Sequence, residues 1–76
     1  MNNQKRKELN KAIDLLNQAR DIVETVMTVE EEDFDNLSEG FKQTERAQTM
    51  EEAIGNMEAA IDSIDEAIGA IEEATL

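Results

Sequence analysis

Carboxylates are the side chains best supplied for chemistry in this sequence: nineteen Asp and Glu stand against seven Lys and Arg, with no histidine and no cysteine. Glu58–Asp62 and Asp62–Asp65–Glu66 are spaced three or four residues apart, so a helix would hold their oxygens on one face, within reach of Mg²⁺ or Ca²⁺. A solvated acidic surface accounts for the same rows more simply. Asp33-Phe34-Asp35 begins like a calcium loop, but Leu37 stands where an oxygen ligand is needed and Glu39 and Gly40 fall out of register. With imidazole and thiol absent, catalysis would rest on paired carboxylates or a lysine, and no cleft for either is evident. The expectation is a non-enzyme with no cofactor and no metal.

Charge acts here as a collective property. Residues 1–29 carry five basic and four acidic side chains, net +1, whereas residues 30–76 carry fifteen acidic and two basic, net −13. After Arg46 no basic residue appears. Such a surface repels nucleic acid and anionic membrane and attracts basic proteins. The cluster Lys5-Arg6-Lys7 is short and lacks interleaved aromatics, so direct nucleic-acid binding is not expected. No apolar run is long enough for a signal-peptide core or a membrane span, and the expectation is a soluble intracellular protein.

Positioning those carboxylates requires helices, and the apolar spacing supplies them. Ala47, Met50, Ile54, Met57, Ile61, Ile64, Ile68 and Ile71 alternate steps of three and four. With Ala47 as heptad position a, the residue before each later a is alanine (Ala53, Ala60, Ala67), and the residue after each d is acidic (Glu51, Glu58, Asp65, Glu72). The first half repeats the grammar through Leu9, Ala12, Leu16, Ala19, Val23 and Val26. Ile13 and Met27 flank that stripe on one side and Leu15, Ile22 and Val29 on the other, a width that suits contact with two neighbours.

The spacing predicts helix 1 over about 3–33, a turn over 34–43 and helix 2 over about 44–75, one domain over 1–76. Thr44 is the favoured cap, with Thr49 and Glu52 as a rival capping box. Matched lengths and a short connection make an all-α antiparallel hairpin, coiled-coil-like. Its antiparallel sense would bring Lys5, Arg6 and Lys7 beside Glu72 and Glu73, each group offsetting the other's unfavourable helix dipole. Phe34, Leu37 and Phe41 are expected to close the turn end of the core. Gly55 and Gly69 mark either close helix approach or plain surface. Two hairpins pairing into a four-helix homodimer would bury Leu15, Ile22 and Val29 against the alanine shoulder of the second copy.

The stretch FDNLSEGFKQTERAQTMEEAIGNMEAAIDSIDEAI resembles short acidic proteins of uncharacterised function encoded by bacteriophages and prophages. The shared pattern is FDNL (Phe34–Leu37), EG (Glu39-Gly40), TER (Thr44–Arg46), MEEAI (Met50–Ile54) and AID (Ala60–Asp62), with Ser38 where the pattern has proline. The resemblance implies a phage context, in which small acidic proteins inhibit host enzymes by nucleic-acid mimicry. The expected partner is a basic host protein that binds nucleic acid, such as a defence nuclease. Glu30, Glu31, Glu32, Asp33, Glu51, Glu58, Asp62, Asp65 and Glu66 are the expected partner-binding residues. The alternative is a structural or adaptor module that works through its apolar helix face.

Overall fold

No proline interrupts the chain and good helix formers fill both halves, so the backbone satisfies its own hydrogen bonds over long stretches. A computed structural model describes residues 1–76. Helix α1 spans Asn3–Asp35 and helix α2 spans Glu45–Ala74, with a single 3₁₀ turn at Phe41–Gln43 between them. The two helices pack side by side as an antiparallel hairpin, a rod measuring 59 × 15 × 13 Å between Cα extremes. Neither helix is long and apolar enough to cross a membrane.

Local chemistry sets the ends. The Asn2 side chain accepts a hydrogen bond from the Lys5 amide at 2.8 Å and so caps α1. Thr44 caps α2: its Oγ1 accepts from the Ala47 amide at 3.3 Å and donates to the Phe41 carbonyl at 2.6 Å. The rival Thr49 lies inside α2, donating to the Glu45 carbonyl. Phe34 and Asp35 belong to α1 rather than to the turn; the Asn36 amide donates to the Glu32 carbonyl at 3.0 Å and the Leu37 amide to the Phe34 carbonyl at 3.1 Å, which ends that helix.

In α2 the seam is the one its spacing predicts, with Ala47, Ile61 and Ile68 buried and Met50, Ile54, Met57, Ile64 and Ile71 half-buried. In α1 the seam runs through Leu9, Ile13, Leu16, Val23, Met27 and Phe34, with Arg6, Arg20 and Glu30 filling the remaining steps of three and four. The expected path through Val26 is therefore corrected: Val26 is exposed, and Met27 takes the seam position. Ala12 and Ala19 stay half-buried on the flank.

Two further expectations change. Phe34 and Leu37 are half-buried at the turn end, but Phe41 is 63% exposed and closes nothing within one chain. A Cβ built on Gly55 or Gly69 meets no atom within 4 Å, so neither glycine marks close approach inside the hairpin. Lys42 leans its ammonium 5.7 Å from the Phe34 ring centroid, within cation–π range.

Gly55→Ala and Gly69→Ala should each stabilise the fold by about 0.5–1 kcal/mol, through helix propensity alone. Urea unfolding followed by circular dichroism measures this. In the same assay Phe34→Ala should cost about 2 kcal/mol.

Candidate functional site

Heptad geometry divides the rod into two unlike sides. Going round α2 from the seam, one meets first Glu51, Glu58, Asp65 and Glu72, then Asp62, then Glu52, Glu66 and Glu73. Every carboxylate of that helix beyond its first turn therefore lies on one continuous side. Glu31 and Asp35 of α1 line one shallow cleft with Glu51, Phe34 and Ile54, so α1 adds carboxylates along this edge.

Across that edge runs the one ion pair that joins the helices. Arg20 holds both oxygens of Asp65, Nε to Oδ1 at 2.7 Å and Nη2 to Oδ2 at 3.3 Å. Its third nitrogen, Nη1, donates to Glu24 Oε2 at 2.6 Å. Hydrogen bonding to Asp65, reinforced by the Asp65 charge, pushes the Arg20 guanidinium further above its usual pKa. The charged guanidinium is thus favoured in the folded chain for as long as the Asp65 carboxylate faces it. Both partners are substantially exposed, so the pair contributes alignment more than stability.

The expected partner-binding residues do not form a single patch. Glu31, Glu51, Glu58, Asp62, Asp65 and Glu66 share the acidic side, although Asp65 is engaged by Arg20. Glu30 occupies a half-buried seam position, and with Asp33 it lines a cleft on the opposite edge beside Arg46, Thr49 and Met50. Glu32 is exposed on the back of α1. No three carboxylates converge closely enough to hold a metal ion.

The opposite edge is nearly free of charge. Between Asp33 and Arg46 at the turn end and Lys5 and Glu8 at the open end, α1 presents Leu15, Ala19, Ile22, Val26 and Val29. α2 presents Ala53, Asn56, Ala60, Ser63, Ala67 and Ala70. Leu15, Ile22, Val26 and Val29 are all more than half exposed. At the open end Lys5, Arg6 and Lys7 make no ion pair with Glu72 or Glu73. Instead Arg6 Nε donates to the Thr75 carbonyl at 3.2 Å, placing its charge at the C-terminus of α2.

Sequence reasoning missed Arg20 as the cross-helix tie. The signal was there: Arg20 stands seven residues after Ile13 and seven before Met27, the register in which a long side chain reaches acidic residues flanking the facing seam. Comparison with protein families, with curated proteins and with solved structures finds no match for this chain.

Arg20→Ala should lower the thermal midpoint at low salt, with the deficit shrinking as salt screens the Asp65 attraction. Arg20→Lys should recover only part of it, because an ammonium cannot grip both carboxylate oxygens in the plane. Melting curves of the three proteins at two ionic strengths make the comparison.

Proposed function

We propose that this is a non-enzymatic, phage-type acidic protein that binds and blocks the basic nucleic-acid groove of a host protein, for example a defence nuclease. The observation that carries the reading is the segregation of charge. The carboxylates of α2 beyond its first turn occupy one continuous side of the rod, and no basic residue of that helix after Arg46 interrupts them. A surface selected only for solubility mixes both signs and uses acidic–basic pairs one turn apart. A basic groove built for phosphates would meet on this side an ordered row of oxyanions instead.

Magnitude argues that the active form is a dimer. One hairpin spreads its net −12 over 59 Å, about one charge per 5 Å. Duplex DNA carries one charge per about 1.7 Å of axis. Two hairpins packed side by side through Leu15, Ile22 and Val29 reduce the spacing to about 2.5 Å, within a factor of two of the duplex. The four-helix bundle so formed keeps both acidic sides outward. Electrostatic attraction at that density gives fast association and a steep dependence on salt.

The exposure of Leu15, Ile22, Val26 and Val29 also favours a second reading, an adaptor that docks a different protein on this apolar side. Salt separates the two. A target held by carboxylates is released at high salt, whereas one held by the apolar side is retained.

Replacing Glu51, Glu58 and Glu66 with Gln and Asp62 with Asn, singly and then together, should leave the helical spectrum intact while target capture from host lysate weakens with each charge removed. Asp65 is left in place because it anchors Arg20. Each lost contact should also flatten the salt dependence. Undiminished capture by the fourfold variant at every salt concentration would show that these carboxylates are not the binding surface.

A further inference from the structure

The uncharged side of the hairpin leaves an apolar face without cover, and its shape specifies how a second copy fits. We propose that two copies pack these sides together about a two-fold axis running along the rod. Each α1 then lies against the small-residue face of the other copy's α2, and both turns sit at the same end. The inference rests on the dimer of the reading above and adds the direction of its axis and the end at which the two turns meet.

Area states the need. Only three of 76 residues are buried, and the chain exposes 5649 Å². A compact chain of this mass exposes roughly 4,700 Å². The excess is on the order of 1,000 Å² per copy. The uncharged face runs from Ala12 to Val29, roughly 26 Å of helix, and spans two helices, roughly 20 Å across. Pairing two such faces buries roughly 1,000 Å² in all, the lower limit for a specific interface. Phe41 enlarges it. With Leu37, Thr44 and Arg46 it lines an apolar cleft at the turn end, and Arg46 ties that cleft to the same edge as Asp33 and Thr49.

Charge and side-chain size then choose the occupant and the axis. A strongly basic target would find no anion on this face, and a second copy brings none of its own carboxylates onto it. Both faces are uncharged from Ala12 to Val29 on α1 and from Thr49 to Ala70 on α2. On α1 the side chains are mostly large (Leu15, Ile22, Val26 and Val29, beside Ala12 and Ala19), and on α2 they are small (Ala53, Asn56, Ala60, Ser63, Ala67). An axis along the rod sets the large side chains against small ones and keeps all neighbouring helices antiparallel. An axis across the rod would set α1 on α1 and α2 on α2. Large would then meet large, small would meet small, and the helix spacing could not be even. The along-rod axis also brings Phe41 of the two copies to one end, where each can cover the other's apolar cleft.

The chain contains no cysteine, so introduced thiols report unambiguously. Ile22 and Ala60 lie at nearly the same height on the rod, close to the Arg20–Asp65 tie. Chains carrying Ile22→Cys and chains carrying Ala60→Cys are oxidised separately and as a refolded mixture, and sedimentation of the wild type is measured at micromolar concentration. The expected result is a wild-type dimer and a disulfide-linked species of two chains in the mixture only. Self-linking of the Ile22→Cys chain alone overturns the along-rod axis, as does a wild-type dimer whose mixture fails to link. A wild-type monomer overturns the arrangement and the dimer together, and leaves salt-dependent target capture to stand or fall by its own assay.

Discussion

Interdigitation of one heptad seam with another is the constraint from which the rest of this molecule takes its form. A helix alone is marginal in water, and its stability comes from the face that it buries. Here that face is narrow. Isoleucines and methionines of α2 meet a row on α1 in which leucine, valine, methionine and phenylalanine are interrupted by Arg6, Arg20 and Glu30. Because the seam uses two of seven positions, the other five are left to be sorted by charge and size. Each helix therefore shows a further pair of surfaces, one on either side of the line of contact. The acidic edge and the uncharged edge are consequences of the antiparallel pairing, since that pairing puts like shoulders of the two helices on the same side.

How much of this was legible beforehand depended on how uniformly the seam was apolar. In α2 every a and d position is Ala, Met or Ile, so the period could be read directly and the structure places Ala47, Ile61 and Ile68 at the centre of the contact. In α1 an apolar path through Ala12, Ala19 and Val26 competes with a path through Ile13, Arg20 and Met27. Hydropathy prefers the first. The molecule uses the second, because arginine can lay its aliphatic stem along the seam while its guanidinium reaches the Asp65 carboxylate at the edge. Phe41 misled for a different reason: an aromatic ring in a turn usually packs locally, yet in this hairpin it remains exposed. The carboxylates that α2 groups together were readable from periodicity. The scattering of Glu30, Glu32 and Asp33 over three different positions around α1 was not apparent in a run of consecutive acids.

Sorting charge to one side has an energetic side as well as a functional one. Self-repulsion among carboxylates opposes the compact state, and a hairpin that buries three residues has little hydrophobic stabilisation to set against it. Keeping the carboxylates off the uncharged edge confines the repulsion to the surface best solvated by water and counterions. It also leaves the other edge free of the desolvation cost that a buried carboxylate would impose. The same division thus serves the stability of the chain and the selectivity of what it meets.

The hairpin geometry also orders the molecule in time. Pairs across the seam grow steadily further apart in sequence away from the turn: Arg20 and Asp65 are 45 residues apart, Arg6 and Thr75 are 69. Closing the open end first would cost roughly 2 kcal/mol more loop entropy than starting near Leu37 and Arg46. Assembly therefore proceeds as a zipper from the turn, each layer shortening the loop that the next must close. Run backwards, the zipper opens from the end where Arg6 holds a single carbonyl, long before the turn loosens. Amide protection graded along the rod, lowest beside Thr75 and rising toward the turn-proximal ends of the two helices, is the signature that such a topology writes into the native state.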